Sequence, residues 1–388
     1  SRSMVFCLSA GPQYIWLSGT FLMRITAIDT FTIDVPQKPP VAPYQSRYVA
    51  TSRTGALLVR LQTDKGHVGW GEAPQLMAFH NRTPYTGREG NDLREKMIGR
   101  DATAIESLYA DKLFTDPYLQ SAVEMACWDA LGKLCGQPLY RLLGGMVRER
   151  VDLACCMGIQ TPEKAAEFAR GYVAAGFGTL KMKGGRRAEE DLAMVRAIRE
   201  AVGDKLKLRV DPNTGYSPEA ALQLARDFEP YELEYFEQPM PDNLIDDSAR
   251  IRKLTKTPMG LNESVTTLAS VQEILCKQAA DVLLPDTYQC GGLWACKLIG
   301  DWAAAAGVTC VFHCAHDFGL KTAAMLHVVA SSPNFPLAND CTYYGLEDDI
   351  ITQPFVIEGG SLPVPQGPGL GVTIDEQKLK KYLVGSSL

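Results

Sequence analysis

From Met23 to about Ala73 apolar and polar residues alternate, first in RITAIDTFTIDV and again in GALLVRLQTDKGHVGWGEA. Period-two alternation lays one face of each run against a core, and the DKG between two β-rich runs predicts a hairpin, so this stretch reads as an antiparallel sheet. Over residues 91–145 the apolar positions recur at three and four instead, most plainly in SAVEMACWDALGKLCGQPLYRLLGG, which predicts helices. Gly136-Gln137-Pro138 and Gly144-Gly145 punctuate their ends.

From about residue 152 short apolar runs alternate with longer helical patterns such as TPEKAAEFARGYVAAG and SPEAALQLARDFEP. Strands are predicted at 154–159, 179–183, 207–211, 234–238, 259–263, 281–285, 309–313 and 335–339. Eight strands with crossover helices predict a (β/α) barrel. The competing doubly wound sheet would carry GxGxxG after its first strand, and none stands there. No long barrel helix follows the eighth strand. A Pro/Gly-rich stretch, GSLPVPQGPGLGVTI, and a short charged helix follow instead, and residues 351–388 are expected to return to the first domain.

Composition narrows the class. The 388 residues are 46% hydrophobic and 22% charged, ordinary values for a chain with a large core. Lys+Arg 39 against Asp+Glu 45 gives a net charge of −6 without a basic cluster, which argues against nucleic-acid or anionic-membrane partners. No apolar run approaches the roughly 20 residues that span a bilayer. The 11 cysteines contain no CxxC pair, so neither a disulfide framework nor a structural zinc site is expected, and a reducing cytoplasm fits best. Residues 1–22 are apolar but broken by Gly, Pro and Gln, with Arg2 as the only basic residue. They read as an N-terminal extension or tag remnant in preference to a signal peptide.

Barrel chemistry sits at the C-terminal ends of the strands. The second strand ends in Lys181-Met182-Lys183, whose two ammonium groups share one face. That pair alone fits a solvated rim as well as a site. The next three strands end in Asp211, Glu237 and Glu263, at equal steps of 26 residues. Three carboxylates at equivalent strand ends converge and repel, and a hard divalent cation removes the conflict. Oxygen-only ligation with open positions suits Mg²⁺ better than Zn²⁺. Strand six ends at Asp286 and strand seven at His313, a pair able to hydrogen-bond, with His316 as the competing histidine. His327, in AAMLHVV, reads as structural and His67, in a hairpin, as a surface residue.

The series KxK, D, E, E, D, H, together with LKMK, VDPNTGYS, YFEQP, NES, LLPDTYQCGG and VPQGPGLGV, resembles the enolase superfamily, and within it the mandelate racemase subgroup. The resemblance runs from Met23 to the C-terminus. It implies an α/β fold: a modified TIM barrel, (β/α)₇β, over residues 151–345, under an α+β capping domain over 23–150 that is completed by the segment 346–388. It also implies essential Mg²⁺ on Asp211, Glu237 and Glu263, and Lys183 as the base on one face. Lys181 would be its neighbour and contact the substrate carboxylate. His313, paired with Asp286, would be the acid/base on the other face. The 27-residue step from Asp286 to His313 is the subgroup's own and selects His313 over His316. Asn213 corresponds to a polar site residue. Where mandelate racemases carry a Glu at the end of strand eight, this chain reads LANDCTYYG and offers Asn339 and Asp340.

The shared chemistry is removal of the proton α to a carboxylate, giving a metal-stabilised enediolate. Lys183, crowded by Lys181, is expected to have a lowered pKa. If His313 returns a proton to the opposite face the result is racemisation or epimerisation; if it protonates a β-hydroxyl, water leaves. Dehydration of an acid sugar or related hydroxy acid is the favoured reading. Behind it stand a racemase or epimerase, then a cycloisomerase, then a non-catalytic relative. A Schiff-base aldolase leaves the three acidic strand ends without a role. Loops near 43–53 and 75–88, with Tyr48 and His80 among their polar residues, are expected to close over the barrel mouth, although a solvated loop has the same composition. The resemblance further implies a homo-oligomer, and the expected partner is a small-molecule carboxylate.

Overall fold

A computed structural model describes residues 22–75, 85–86 and 89–387. Nearly all of the N-terminal extension, and His80, lie outside the described residues. The cap begins with β1 (Ile25–Pro36), a small hairpin of β2 (Tyr44–Gln45) and β3 (Ala50–Thr51), then β4 (Arg53–Thr63) and β5 (Val68–Pro74). The barrel strands are β6 (Arg150–Met157), β7 (Thr179–Lys183), β8 (Lys207–Asp211), β9 (Tyr235–Glu237), β10 (Met259–Leu261), β11 (Val282–Leu283), β12 (Thr309–Cys310) and β13 (Asn339–Cys341). Two short strands follow, β14 (Ser361–Pro363) and β15 (Leu383–Ser386). The cap sheet runs β15-β1-β4-β5, all antiparallel, so the chain's last strand completes a sheet begun by its first.

Helix Pro117–Cys135 covers that sheet. Asp116 accepts from Tyr118 N at its start and Pro117 occupies the first turn, where no donor is lost. Its backbone lies so close to β5 that a Cβ at Gly71 would sit 1.9 Å from Ala122 O, and one at Gly69 2.0 Å from Ala126 O. Glycine is required there by contact.

In the barrel the parallel order runs from β12 through β11, β10, β9, β8, β7 and β6 to β13. The ring closes where Asp340 N donates to Phe312 O at 3.0 Å. Three of the barrel helices open with local signals their sequences carry: Thr161 and Ser217 accept from Lys164 N and Ala220 N, each before a proline, and Thr267 with Ser270 forms a reciprocal cap. After β13 comes only the 3₁₀ turn Tyr343–Gly345, which leaves seven β/α units and a final strand.

The eighth strand differs from its predicted span, forming at Asn339–Cys341 and not at 335–339. Pro333 and Pro336 remove ladder donors from the approach, which defers pairing with β6 to the residues beyond them. The first barrel strand starts earlier than expected because β14 pairs with Arg150–Asp152.

Two buried carboxylates dock the cap on the barrel. Glu124 accepts from Leu293 N at 3.0 Å and Trp294 N at 2.9 Å, capping helix Leu293–Ala305. Glu72 accepts from Phe318 N at 2.8 Å and Lys321 N at 2.9 Å, at the start of helix Gly319–Ala330. Both helices follow the strands that lead to Asp286 and His313.

Candidate active site

Every residue of β7 is buried, with Leu180 and Met182 facing the barrel's outer layer and Lys181 and Lys183 facing its interior. Lys181 Nζ lies 2.6 Å from Glu237 Oε1, 2.8 Å from Asp340 Oδ2 and 3.3 Å from Asp211 Oδ2. Lys183 Nζ is ion-paired with Asp211 Oδ2. Buried ammonium groups persist only when paired in this way. The expectation of a lowered Lys183 pKa is corrected here: burial, the largest single cause, and Lys181 oppose its charged form, but Asp211 and Glu237 together outweigh them and the pKa rises. Burial likewise opposes ionisation of Asp211, but Lys183 and Lys181 hold it well below the usual carboxylate range.

Atoms of Asp211, Glu237 and His313 capable of ligation lie within 4.8 Å of one another. Glu263 is not in that group but is tied to it through Asn213, whose Nδ2 donates to Glu263 Oε1 at 3.2 Å while its own N donates to Asp211 Oδ1 at 2.9 Å. Asn213 and Thr214 have φ of 46° and 62°, the left-handed turn that swings Asn213 back toward the strand ends. Glu237 Oε2 and Glu263 Oε2 are buried without a protein partner. Burial, then the nearby Asp211 charge, pushes the Glu237 carboxyl up, and the same two causes push Glu263 up to about 7. Unpaired buried carboxylate oxygens beside a third carboxylate fit a hard divalent cation.

Across the barrel, Asp286 Oδ2 lies 3.0 Å from His313 Nδ1. Burial, then the Lys181 charge, pushes the imidazole well below its ordinary pKa, and Nδ1 is the ring nitrogen that faces the carboxylate. His316 faces the same cavity but is held by the cap: Gln37 Nε2 meets its Nδ1 at 2.9 Å, and its backbone is left-handed at φ 62°.

The eighth-strand pair divides. Asp340 points inward, meeting Lys181 and, at 3.1 Å, Arg209 Nη1. Asn339 does not reach the cavity; its Oδ1 accepts from Phe312 N at 2.7 Å and stands in for a ladder bond at the barrel seam. Its proposed substrate contact is therefore corrected, because neighbouring strand residues face opposite sides. Tyr48 does reach the mouth. Its hydroxyl donates to Asn213 O at 2.7 Å, so besides lining the cavity it pins the turn that carries Asn213.

Three charged residues escaped the reading of the sequence. Arg209 is fully buried between Glu234 and Asp340, over the Tyr235 ring. Its signal was its place two before Asp211, hence on the same face. Lys321 and Asp317 back Asp286, and their signal was the one lysine of a largely apolar helix, four residues after an aspartate. His327 is buried as expected, with Nε2 3.1 Å from Leu370 O.

The cavity these groups enclose has a volume of about 1090 Å³ and is lined by Lys181, Lys183, Glu263 and His313 from the barrel and by Tyr44 and Tyr48 from the cap. A (β/α)₇β barrel with two lysines, a carboxylate cluster and an Asp–His pair at its mouth, closed by an α+β cap, defines a class of barrel enzymes built around a buried anionic centre. Residues 27–144 match the mandelate racemase / muconate lactonizing enzyme N-terminal domain, and residues 164–378 match the enolase C-terminal domain-like model. The chain belongs to the mandelate racemase / muconate lactonizing enzyme family of the enolase superfamily. It is 30% identical to the L-Ala-D/L-Glu epimerase of Bacillus subtilis, over 90% of this chain and 97% of that protein. It is also 30% identical to an arabinonate dehydratase of Saccharolobus solfataricus, over 83% and 89%. The crystal structure of N-succinyl Arg/Lys racemase from Bacillus cereus superposes with a TM-score of 0.87 at 26% identity, covering 94% of this chain and 99% of that one. No helix among the described residues is long and apolar enough to cross a membrane.

Proposed function

We propose that this protein abstracts the proton α to the carboxylate of a small-molecule substrate, and that it is a hydro-lyase acting on an acid sugar or related hydroxy acid. The observation that carries the reading is that Lys183 and His313 line one cavity over a single carboxylate cluster. Mg²⁺ on Asp211, Glu237 and Glu263 would supply the positive charge that stabilises the anion formed from the substrate. Lys183 acts as a neutral amine, which requires its ion pair with Asp211 to open. Lys181 stays charged beside Glu237 and Asp340 and holds the substrate carboxylate. His313, with Nδ1 committed to Asp286, presents Nε2 to the substrate's other face; Nε2 first takes up a proton from solvent, and the imidazolium, stabilised by Asp286, then gives that proton to the departing β-hydroxyl, which leaves as water. The arabinonate dehydratase relative supports this outcome.

A second reading, racemisation or epimerisation, is supported by the epimerase and racemase relatives, and differs only in where the proton on His313 goes. Both are tested by one screen: aldonic and aldaric acids, dipeptides and N-acyl amino acids incubated with the enzyme and Mg²⁺ in D₂O and followed by NMR. Loss of water from a hydroxy acid supports dehydration, α-deuteration with inversion supports the second reading, and no exchange in any compound overturns both.

The proposal extends to a homo-oligomer working in the cytoplasm. The ten described cysteines are all free thiols, which supports a reducing compartment. A monomer in light scattering would overturn the assembly.

A further inference from the structure

Lys321 is fully buried in helix Gly319–Ala330, whose other side chains are apolar except Thr322 and His327. Its Nζ lies 2.8 Å from Asp286 Oδ1 and 2.6 Å from Asp317 Oδ2, 5.5 Å from the centre of the Tyr288 ring. The other oxygen of Asp286 faces His313 Nδ1. Asp317 Oδ1 accepts from Ala315 N at 3.1 Å. One ammonium thus separates two buried carboxylates, only one of which touches the imidazole. Two buried carboxylates without a cation between them do not both ionise; one takes a proton. Burial pushes both carboxyls up, Asp317 to about 6 even beside the ammonium, and Lys321 is the chief group that opposes that rise in each. A protonated Asp286 becomes a donor and no longer dictates which ring nitrogen of His313 carries hydrogen.

We propose that Lys321 is a positioning residue for proton transfer: it holds Asp286 ionised, with Oδ2 turned to His313, and so fixes the imidazole as the Nδ1–H tautomer with Nε2 free to face the substrate. The assignment rests on the reading of His313 as the proton-transfer group. Asp317 is the counterweight. It anchors Lys321 from the far side and is the carboxylate that competes with Asp286 when the ammonium is removed. The cap takes part through Glu72, which binds the Lys321 backbone N–H and sets where the helix begins.

The test compares wild type, Lys321→Met and the double variant Lys321→Met/Asp317→Asn. Long-range ¹H–¹⁵N spectra of ¹⁵N-histidine-labelled protein report the tautomer directly, with the His313 signals assigned by their loss in His313→Asn. Wild type is expected to show the Nδ1–H form and Lys321→Met a mixture. The double variant, in which Asp317 no longer competes with Asp286 for the negative charge, is expected to return to Nδ1–H. In parallel, Lys321→Met should slow turnover on the His313 face by about 10- to 100-fold while Lys183-face exchange stays within about twofold, and the double variant should recover most of that loss.

A purely structural role for Lys321 gives the reverse order, with the double variant worse than the single. That result overturns the proposal, as does an Nε2–H tautomer in wild type. If Lys321→Met does not fold, Lys321→Gln removes the charge in a polar side chain and carries the same expectation. Because the spectra need no substrate, a tautomer that follows the charges alongside a fruitless acid screen would overturn the reaction and leave Lys321 standing. Catalysed exchange with an unchanged tautomer would do the opposite.

Discussion

Lys183 and His313 approach one cavity from the second and seventh strands of the barrel, and each is held by an aspartate of its own, Asp211 for the lysine and Asp286 for the histidine. The two aspartates do different work. Asp211 ties the lysine to the carboxylate cluster, whereas Asp286 selects a tautomer and is itself shared with Lys321.

That division predicts a stereochemical split. Each group reaches one face of the bound α-carbon, so Lys183→Ala should abolish α-deuteration of one configuration, a loss of about 10²- to 10⁴-fold typical of a removed general base. His313→Asn should spare that exchange and block turnover. Asp286→Asn should weaken the His313 step by about 10- to 100-fold. ¹H NMR in D₂O on both enantiomers reads all three, and full exchange in Lys183→Ala would remove the lysine from its assigned role.

His316 gives the contrasting case. Its ring is bound to Gln37 of the cap and to no carboxylate, so His316→Asn, which tolerates the left-handed backbone, should cost far less than His313→Asn. Comparing kcat/KM of the two variants decides the register of the seventh strand; an essential His316 with a dispensable His313 would reverse the assignment.

Metal dependence follows from the orphaned oxygens of Glu237 and Glu263. EDTA should abolish activity and Mg²⁺ restore it. Glu237→Gln, which removes one of three anions, should weaken Mg²⁺ binding measured by calorimetry. Activity that survives exhaustive chelation would remove the cation from the site.

His327 predicts a pH effect on stability far from the catalytic groups. Its ring accepts from Tyr140 N at 3.4 Å and donates to Leu370 O, and burial lowers its pKa from 6.5 to about 4. Between those values the unfolded chain binds a proton that the native chain refuses. The stabilisation is therefore complete above about pH 6.5 and is lost as the pH falls toward 4, by up to roughly 3 kcal/mol. Denaturant titrations at pH 7 and 4.5 should show a smaller acid loss in His327→Gln than in wild type. Glu124 and Glu72, raised to about 7 and about 8, bias the curve the other way, and the subtraction cancels them.

The sequence by itself determined the periodicities, and with them the antiparallel cap, the eight barrel strands and the carboxylates at their ends. Each is a local matter: alternation fixes which side chains share a face, and equal spacing puts Asp211, Glu237 and Glu263 at equivalent points of successive units. Lys181 and Lys183 were legible for the same reason. Tertiary structure decided what each charge meets. Asp340 and Asn339 are chain neighbours, yet one enters the charge network and the other stitches the barrel seam, because Pro333 and Pro336 moved the strand and so its register. Lys183 was expected to lose proton affinity to Lys181 and gains it from Asp211. Lys321 was not singled out, because its partners Asp286 and Asp317 close on it only in the folded barrel. Electrostatic energy depends on distances of a few ångströms between residues tens of positions apart in the chain, and those distances exist only once the barrel has closed.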